Sequence, residues 1–254
     1  MHPELFKIGP ITIYTYGFLM ALAIISAILI TVKRGEKRGF SKDSIYDIAF
    51  YGVIGGILGA KLLYIIAEAP TLLKNPKAII FMLTSGFVVY GALIGGALAA
   101  YIYCKVKGLN FIKYFDLTAP AIAFAQGVGR IGCLEAGCCY GKETNSIFGI
   151  VFHISPFAPN GVRLIPTQII SSIGNFTFFL ILIWFARKER KNGQVAGLYI
   201  LLYSIGRFII EFFRGDYRGN VGILSTSQFI SIFTLILGII LLNLDKIAPA
   251  SQNQ

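Results

Sequence analysis

Four ionisable side chains stand in or beside stretches of sequence that are otherwise apolar: Lys61, Arg130, Arg207 and Glu211, with Arg214 one turn further on. An ionisable residue at the centre of a membrane span costs roughly 2.5–3.5 kcal/mol on insertion scales, so a lipid-facing position is disfavoured. Arg207 and Glu211 are four apart, the spacing at which opposite charges meet on a helix. Their pairing leaves Arg130 and Arg214 without an assigned acid, a cationic surplus inside an oily chain. Such a surplus suits a phosphate. The guanidinium fork grips phosphate oxygens through paired donors and keeps its proton when water is removed. A phospholipid headgroup reached sideways from the bilayer is the expected anion.

A thiol cluster follows Arg130 directly, because residues 129–141 read GRIGCLEAGCCYG and hold Cys133, Cys138 and Cys139. Three readings stay open for it: burial of small soft side chains, a disulfide between Cys133 and one of the later pair, and a zinc site. The C-x4-C-C spacing has only His153 as a nearby imidazole, so no metal is expected. Glu135, within the same run, is a candidate acid–base group.

The elements that must position these groups are membrane helices. The chain has 254 residues, 56% hydrophobic and 14% charged, with mean hydropathy +0.71. A soluble domain of this length needs more charge to cover its surface. Apolar runs of about 20 residues match a bilayer core crossed by a helix. The expected fold is all-α: a polytopic integral membrane protein with about seven transmembrane helices. They are placed at Ile11–Val32, Ile45–Ala67, Ala78–Cys104, Phe115–Gly132, Thr167–Ala186, Val195–Phe213 and Thr226–Leu244. Basic clusters follow the first, third and fifth spans, which puts the N-terminus outside and the C-terminus in the cytoplasm. The same rule accounts for much of the net charge of +11, and no aromatic–basic platform for nucleic acid is present.

Residues 1–246 read as a single transmembrane domain with a small outer-face insertion at about 133–166, and residues 247–254 as a disordered tail. No cleavable leader is expected, since His2 and Glu4 stand where a basic start would be. GVIGGILGA (52–60) and GALIGGALAA (91–100) carry small-xxx-small spacing, which lets helix backbones approach closely. Lys61 and Tyr90 flank these two runs as polar handles.

Taken together, the motifs resemble the prolipoprotein diacylglyceryl transferases of bacterial inner membranes, from about Tyr16 to Ser231. GRIGC at 129–133 is similar to the family signature, and RFIIEFFRGD at 207–216 to its arginine–glutamate–arginine helix. Tyr16–Gly17, FYGVIGGILGAK, YGALIGG, PTQ at 166–168 and LSTSQ at 224–228 complete the pattern. The resemblance implies a plasma-membrane enzyme with a cavity open sideways to lipid. It would move a diacylglyceryl group from phosphatidylglycerol to the lipobox cysteine of a prolipoprotein, without a cofactor. On matched positions Arg130 and Arg207 would hold the phosphate and Glu211 and Arg214 would orient them. Tyr16, Lys61, Gly91, Cys133, Gly141 and Gln168 would line the substrate path.

The departures are specific. The family's histidine before the glycines of the third span is Tyr90, its signature asparagine is Cys133, and a following acidic position is Cys138. The tyrosine and glutamate after its PSQ are Ile170 and Ser171. A phenol is mostly protonated near neutral pH, so Tyr90 and Glu135 share the acid–base expectation. Two other readings remain: a paralogue transferring a lipid group to another acceptor, through one of its own thiols, and a non-enzymatic phospholipid-binding or transport protein.

Overall fold

The computed structural model describes residues 2–69, 86–216 and 219–244. Seven helices occur there: α1 (Thr15–Glu36), α2 (Lys42–Ala67), α3 (Val89–Val106), α4 (Phe111–Ala136), α5 (Thr167–Phe185), α6 (Gln194–Glu211) and α7 (Thr226–Leu242). The first six are long and apolar enough to cross a membrane, and α7 is a shorter apolar helix. The polytopic all-α expectation is borne out. The expected start of the third span, residues 78–85, and the expected disordered tail, residues 247–254, lie outside the described residues. Helix α4 runs past its expected limits at both ends and carries Pro120 inside it. Helix α6 stops at Glu211, two residues early, and the chain turns so that Arg214 leaves the helix axis.

Three short antiparallel strand pairs accompany the helices, the first ahead of α1: β1 (Glu4–Ile8) with β2 (Ile11–Tyr14), β3 (Ile150–Val151) with β4 (Arg163–Leu164), and β5 (Asn220–Val221) with β6 (Leu224–Ser225). The LSTSQ run starts α7 as a capping box. The Ser225 side chain accepts from the Gln228 amide, and the Gln228 side chain accepts from the Ser225 amide.

The chain forms two compact units, Met1–Thr31 with Phe115–Gln254, and Val32–Tyr114. In the second, α2 and α3 touch through their glycines. A Cβ added at Gly55 would lie 2.7 Å from the Gly95 carbonyl oxygen, and one at Gly91 would overlap the Gly59 carbonyl. The small-residue repeats are therefore a backbone-to-backbone seam, which Gly91 helps to form. Lys61 Nζ donates to the Gly86 carbonyl at 3.0 Å and lies 4.3 Å from the centre of the Phe87 ring. Tyr90 occupies the first turn of α3.

In the first unit α4, α5 and α6 share a core of Ala119, Ala123, Leu182, Val195 and Tyr199. Alanines on α4 bring the larger side chains of its neighbours close. Gly197 and Gly238 do the same where α6 meets α7, since a Cβ at Gly197 would lie 2.7 Å from the Leu242 amide. Asp116 fastens α4 to the start of α6, its two oxygens accepting from the Gly193 amide at 2.6 Å and the Ala196 amide at 2.7 Å. A carboxylate there satisfies amides that have no partner within the helix and meets the positive end of its dipole. Asp116→Ala should cost about 1–2 kcal/mol. A fall in the thermal midpoint of the purified chain in detergent would show it, and an unchanged midpoint would remove the cap from the account.

The outer connection has a small core of its own, Phe152, Ala158 and Leu164, closed over by Leu134, Tyr140, Ile150 and Val162. The β3–β4 pair and the bridge from Phe152 to Asn160 hold it in shape.

Candidate functional site

Arg130 reaches a cavity of the first unit from the last two turns of α4, and Arg207 reaches it from the last turn but one of α6. The cavity holds about 670 Å³ and is bordered by both guanidinium groups together with Asn175, Tyr203, Phe178 and Ile210. Most of its wall is apolar, from α5 and α6, while the charge is confined to the two arginines. An amphiphile with an anionic head fits that division.

Each guanidinium is held differently. Arg207 Nη2 donates to Ser227 Oγ at 2.7 Å and lies 3.0 Å from Glu211 Oε2. Its Nη1 is buried with no hydrogen-bond partner among the described residues. The expected Arg207–Glu211 pair therefore forms, yet leaves one end of the fork open. Arg214 donates from Nε to Asp216 Oδ1 at 2.9 Å, closes a second contact to the same carboxylate, and lies 3.9 Å from Glu211. Glu211 thus stands between two arginines, all three side chains at most 11% exposed. Among the described residues no carboxylate pairs with Arg130.

Sequence reasoning missed Asn175 and Tyr203. Asn175 Nδ2 donates to the Ser171 carbonyl at 2.8 Å, and its Oδ1 is buried without a hydrogen-bond partner among the described residues. Its signal is a lone amide in the apolar stretch of α5. Tyr203 lies one turn before Arg207 on the same face of α6, so the i,i+4 spacing could have found it.

The other expected site residues are distributed more widely. Gln168, 1% exposed, donates from Nε2 to the Cys138 carbonyl at 2.8 Å and borders a second cavity of about 210 Å³ with Arg130. Tyr16, on the first turn of α1, lies against Gly132, where a Cβ would come within 3.2 Å of its ring. Glu135 Oε2 accepts from the His2 amide at 2.7 Å and is not among the groups lining the arginine cavity. Gly141 is a packing position. Its amide donates to the Ile165 carbonyl, and a Cβ would lie 2.5 Å from that oxygen and 3.0 Å from the Phe213 carbonyl. Bonds from Lys142 N to Phe213 O and from Gly215 N to Tyr140 O complete this crossing, which fixes Arg214 beside the end of α6. Lys61, Tyr90 and Gly91 belong to the other unit.

Beyond α4 the chain reverses through Gly137, at φ 72°, and Cys139, at φ 61°. Thr167 Oγ1 donates to the Cys139 carbonyl at 2.7 Å, alongside the Gln168 bond to Cys138. The sulfurs of Cys133, Cys138 and Cys139 lie within 4.8 Å of one another, and none of the three is in a disulfide. Hydrogen bonds from Cys133 and Cys138 hold the Cys139 thiol below its ordinary range, helped by the charges of Arg130 and Arg214. Hydrogen bonds to Cys133 and Cys139, and then burial, push Cys138 up.

Comparison with known proteins agrees with the motifs. The pattern of the family described as prolipoprotein diacylglyceryl transferase matches residues 3–244. The chain is 51% identical over 246 residues to a phosphatidylglycerol–prolipoprotein diacylglyceryl transferase of Clostridium tetani (strain Massachusetts / E88), covering 97% of this chain and 98% of that one. It is 50% identical over 242 residues to a second such protein, from Clostridium perfringens (strain 13 / Type A), covering 95% and 94%. A relative of the same name from Finegoldia magna (strain ATCC 29328 / DSM 20472 / WAL 2508) is 35% identical over 93% of this chain and 92% of its own. With its signature run carrying the cavity arginine of α4 and its arginine–glutamate helix bordering that cavity, the chain belongs to the prolipoprotein diacylglyceryl transferase family.

Proposed function

We propose that this membrane transferase moves the diacylglyceryl group of phosphatidylglycerol onto the thiol of a prolipoprotein's lipobox cysteine, at the outer face of a bacterial plasma membrane. One observation carries the reading of the site: two arginines from different helices border one largely apolar cavity, and the buried Nη1 of Arg207 has no hydrogen-bond partner among the described residues. The phosphate of the lipid lies between Arg130 and Arg207, its acyl chains along the apolar wall of α5 and α6. The acceptor's thiolate attacks the glyceryl carbon next to the phosphate ester. A carbon–sulfur bond forms as the carbon–oxygen bond breaks, and the electron pair leaves on the oxygen of glycerol phosphate. Negative charge grows on the phosphate during that step, so fixed guanidinium groups favour the transition state over the bound lipid. Glu211 keeps Arg207 charged and aimed, and Asp216 does the same for Arg214. Tyr16 and Gln168, which flank Arg130, border the acceptor's approach. The basic loops after α1, α3 and α5 put the N-terminus outside.

Incubating the purified chain with headgroup-labelled phosphatidylglycerol and a lipobox peptide tests this. Thioether-linked peptide and free glycerol phosphate should appear in equal amounts. Absence of both would overturn the assignment, and lipid movement between vesicles without either product would favour a carrier.

A further inference from the structure

The thiol cluster beside Arg130 takes no part in the transfer described above, yet the fold is organised to bring it together. The geometry points to Cys133, Cys138 and Cys139 as a binding site for one divalent thiophilic cation of the zinc type. The inference does not depend on the transferase reading.

Convergence comes first. Neighbouring residues in an extended chain send their side chains to opposite sides, but Cys138 and Cys139 both place their sulfurs within 4.8 Å of Cys133 and of each other. The left-handed backbone at Cys139, φ 61°, accompanies this arrangement. A residue with a side chain held there costs about 1–3 kcal/mol, so the surroundings must maintain it. They do. Thr167 and Gln168, each 1% exposed, spend their side-chain donors on the carbonyls of Cys139 and Cys138.

Charge selects the ion. Three thiolates around a divalent cation carry a net charge of −1, which one guanidinium balances. Arg130 is within electrostatic reach of all three sulfurs and pairs with no carboxylate among the described residues, whereas Arg214 is engaged by Asp216. A monovalent ion would leave a second negative charge uncompensated in a buried place. The sulfurs are nearly in position. Tetrahedral zinc–sulfur bonds of about 2.3 Å set sulfurs about 3.8 Å apart, a contraction of about 1 Å at most. A disulfide, by contrast, uses two sulfurs and gives the third no reason to be there. Among the described residues no imidazole or carboxylate joins the three, so the fourth position falls to water. That missing ligand is why the spacing alone predicted no metal.

The test is metal content of the full-length chain, purified in detergent under reducing conditions, loaded with zinc and passed through a desalting column. One zinc per chain is expected. Cys133→Ser, Cys138→Ser and Cys139→Ser should each lose most of it, and Cys104→Ser, a buried thiol of the other unit, should not. A second measurement needs no variant: bound zinc should protect three thiols from alkylation, and a chelator should expose them again. Cadmium should add one equivalent of thiolate-to-metal absorbance. Zinc content unchanged in the triple serine variant, alkylation indifferent to zinc, or two of the three cysteines isolated as a disulfide would each overturn the site.

Discussion

Arg130→Ala should slow diacylglyceryl transfer by about a hundred- to a thousandfold, the usual loss when a fixed donor to a developing oxyanion is removed. The reasoning is geometric. Arg130 borders the arginine cavity and the smaller one beside Gln168, and no carboxylate among the described residues quenches its charge. Arg130→Lys should recover only part of the rate, because an ammonium is a point charge without the planar fork. Lys61→Ala should leave most of the rate intact, since the Lys61 ammonium is already committed to the Gly86 carbonyl and the Phe87 ring. Initial rates of thioether formation at saturating lipid decide the ranking. Equal losses at the two positions would show that a cation anywhere in the helices suffices and that the cavity arginine has no special role.

Glu211→Gln should cause the largest loss of stability of any isosteric change in the site. Its carboxylate is 6% exposed, 3.0 Å from Arg207 and 3.9 Å from Arg214. Removing one partner of a buried ion pair leaves the other charge uncompensated and costs about 3–5 kcal/mol. Arg207 would keep only the Ser227 hydroxyl, while Arg214 keeps Asp216. The thermal midpoint in neutral detergent should fall further than for Asp116→Ala. Added phosphatidylglycerol should restore part of it, because a bound anion supplies the missing charge. A midpoint equal to that of the unaltered chain would mean that water, and not Glu211, neutralises Arg207.

The helical architecture was legible because hydrophobic length is a direct physical requirement of the bilayer. The pairing of Arg207 with Glu211 was legible because helical spacing fixes it. Asn175 was not, since a single amide inside IISSIGNFTF gives no period, and only its buried oxygen, unpaired among the described residues, marks it. Gly141 was expected on the substrate path and instead lies where two chain segments cross, a contact between residues far apart in sequence. Asp116 carries no mark along the chain. Its work as a cap for α6 depends on Gly193 and Ala196, nearly eighty residues away. The thiols show the same limit most plainly: C-x4-C-C is a poor ligand pattern along the chain, and the reversal through Gly137 and Cys139 gathers its three sulfurs.

The outer hairpin closes its own small core around Phe152, Ala158 and Leu164, while Ile154 and Phe157 at its turn are 76% and 63% exposed. Its fastening to the rest of the unit runs through residues 141–144 and 163–165, and Ser155 in the turn packs against Gly137 beyond the end of α4. Substitutions of the exposed Ile154 and Phe157 side chains therefore leave both arginines where they are, whereas Ser155 is tied to Gly137. Evolution can revise this tip from one lineage to the next without renegotiating the chemistry beneath it.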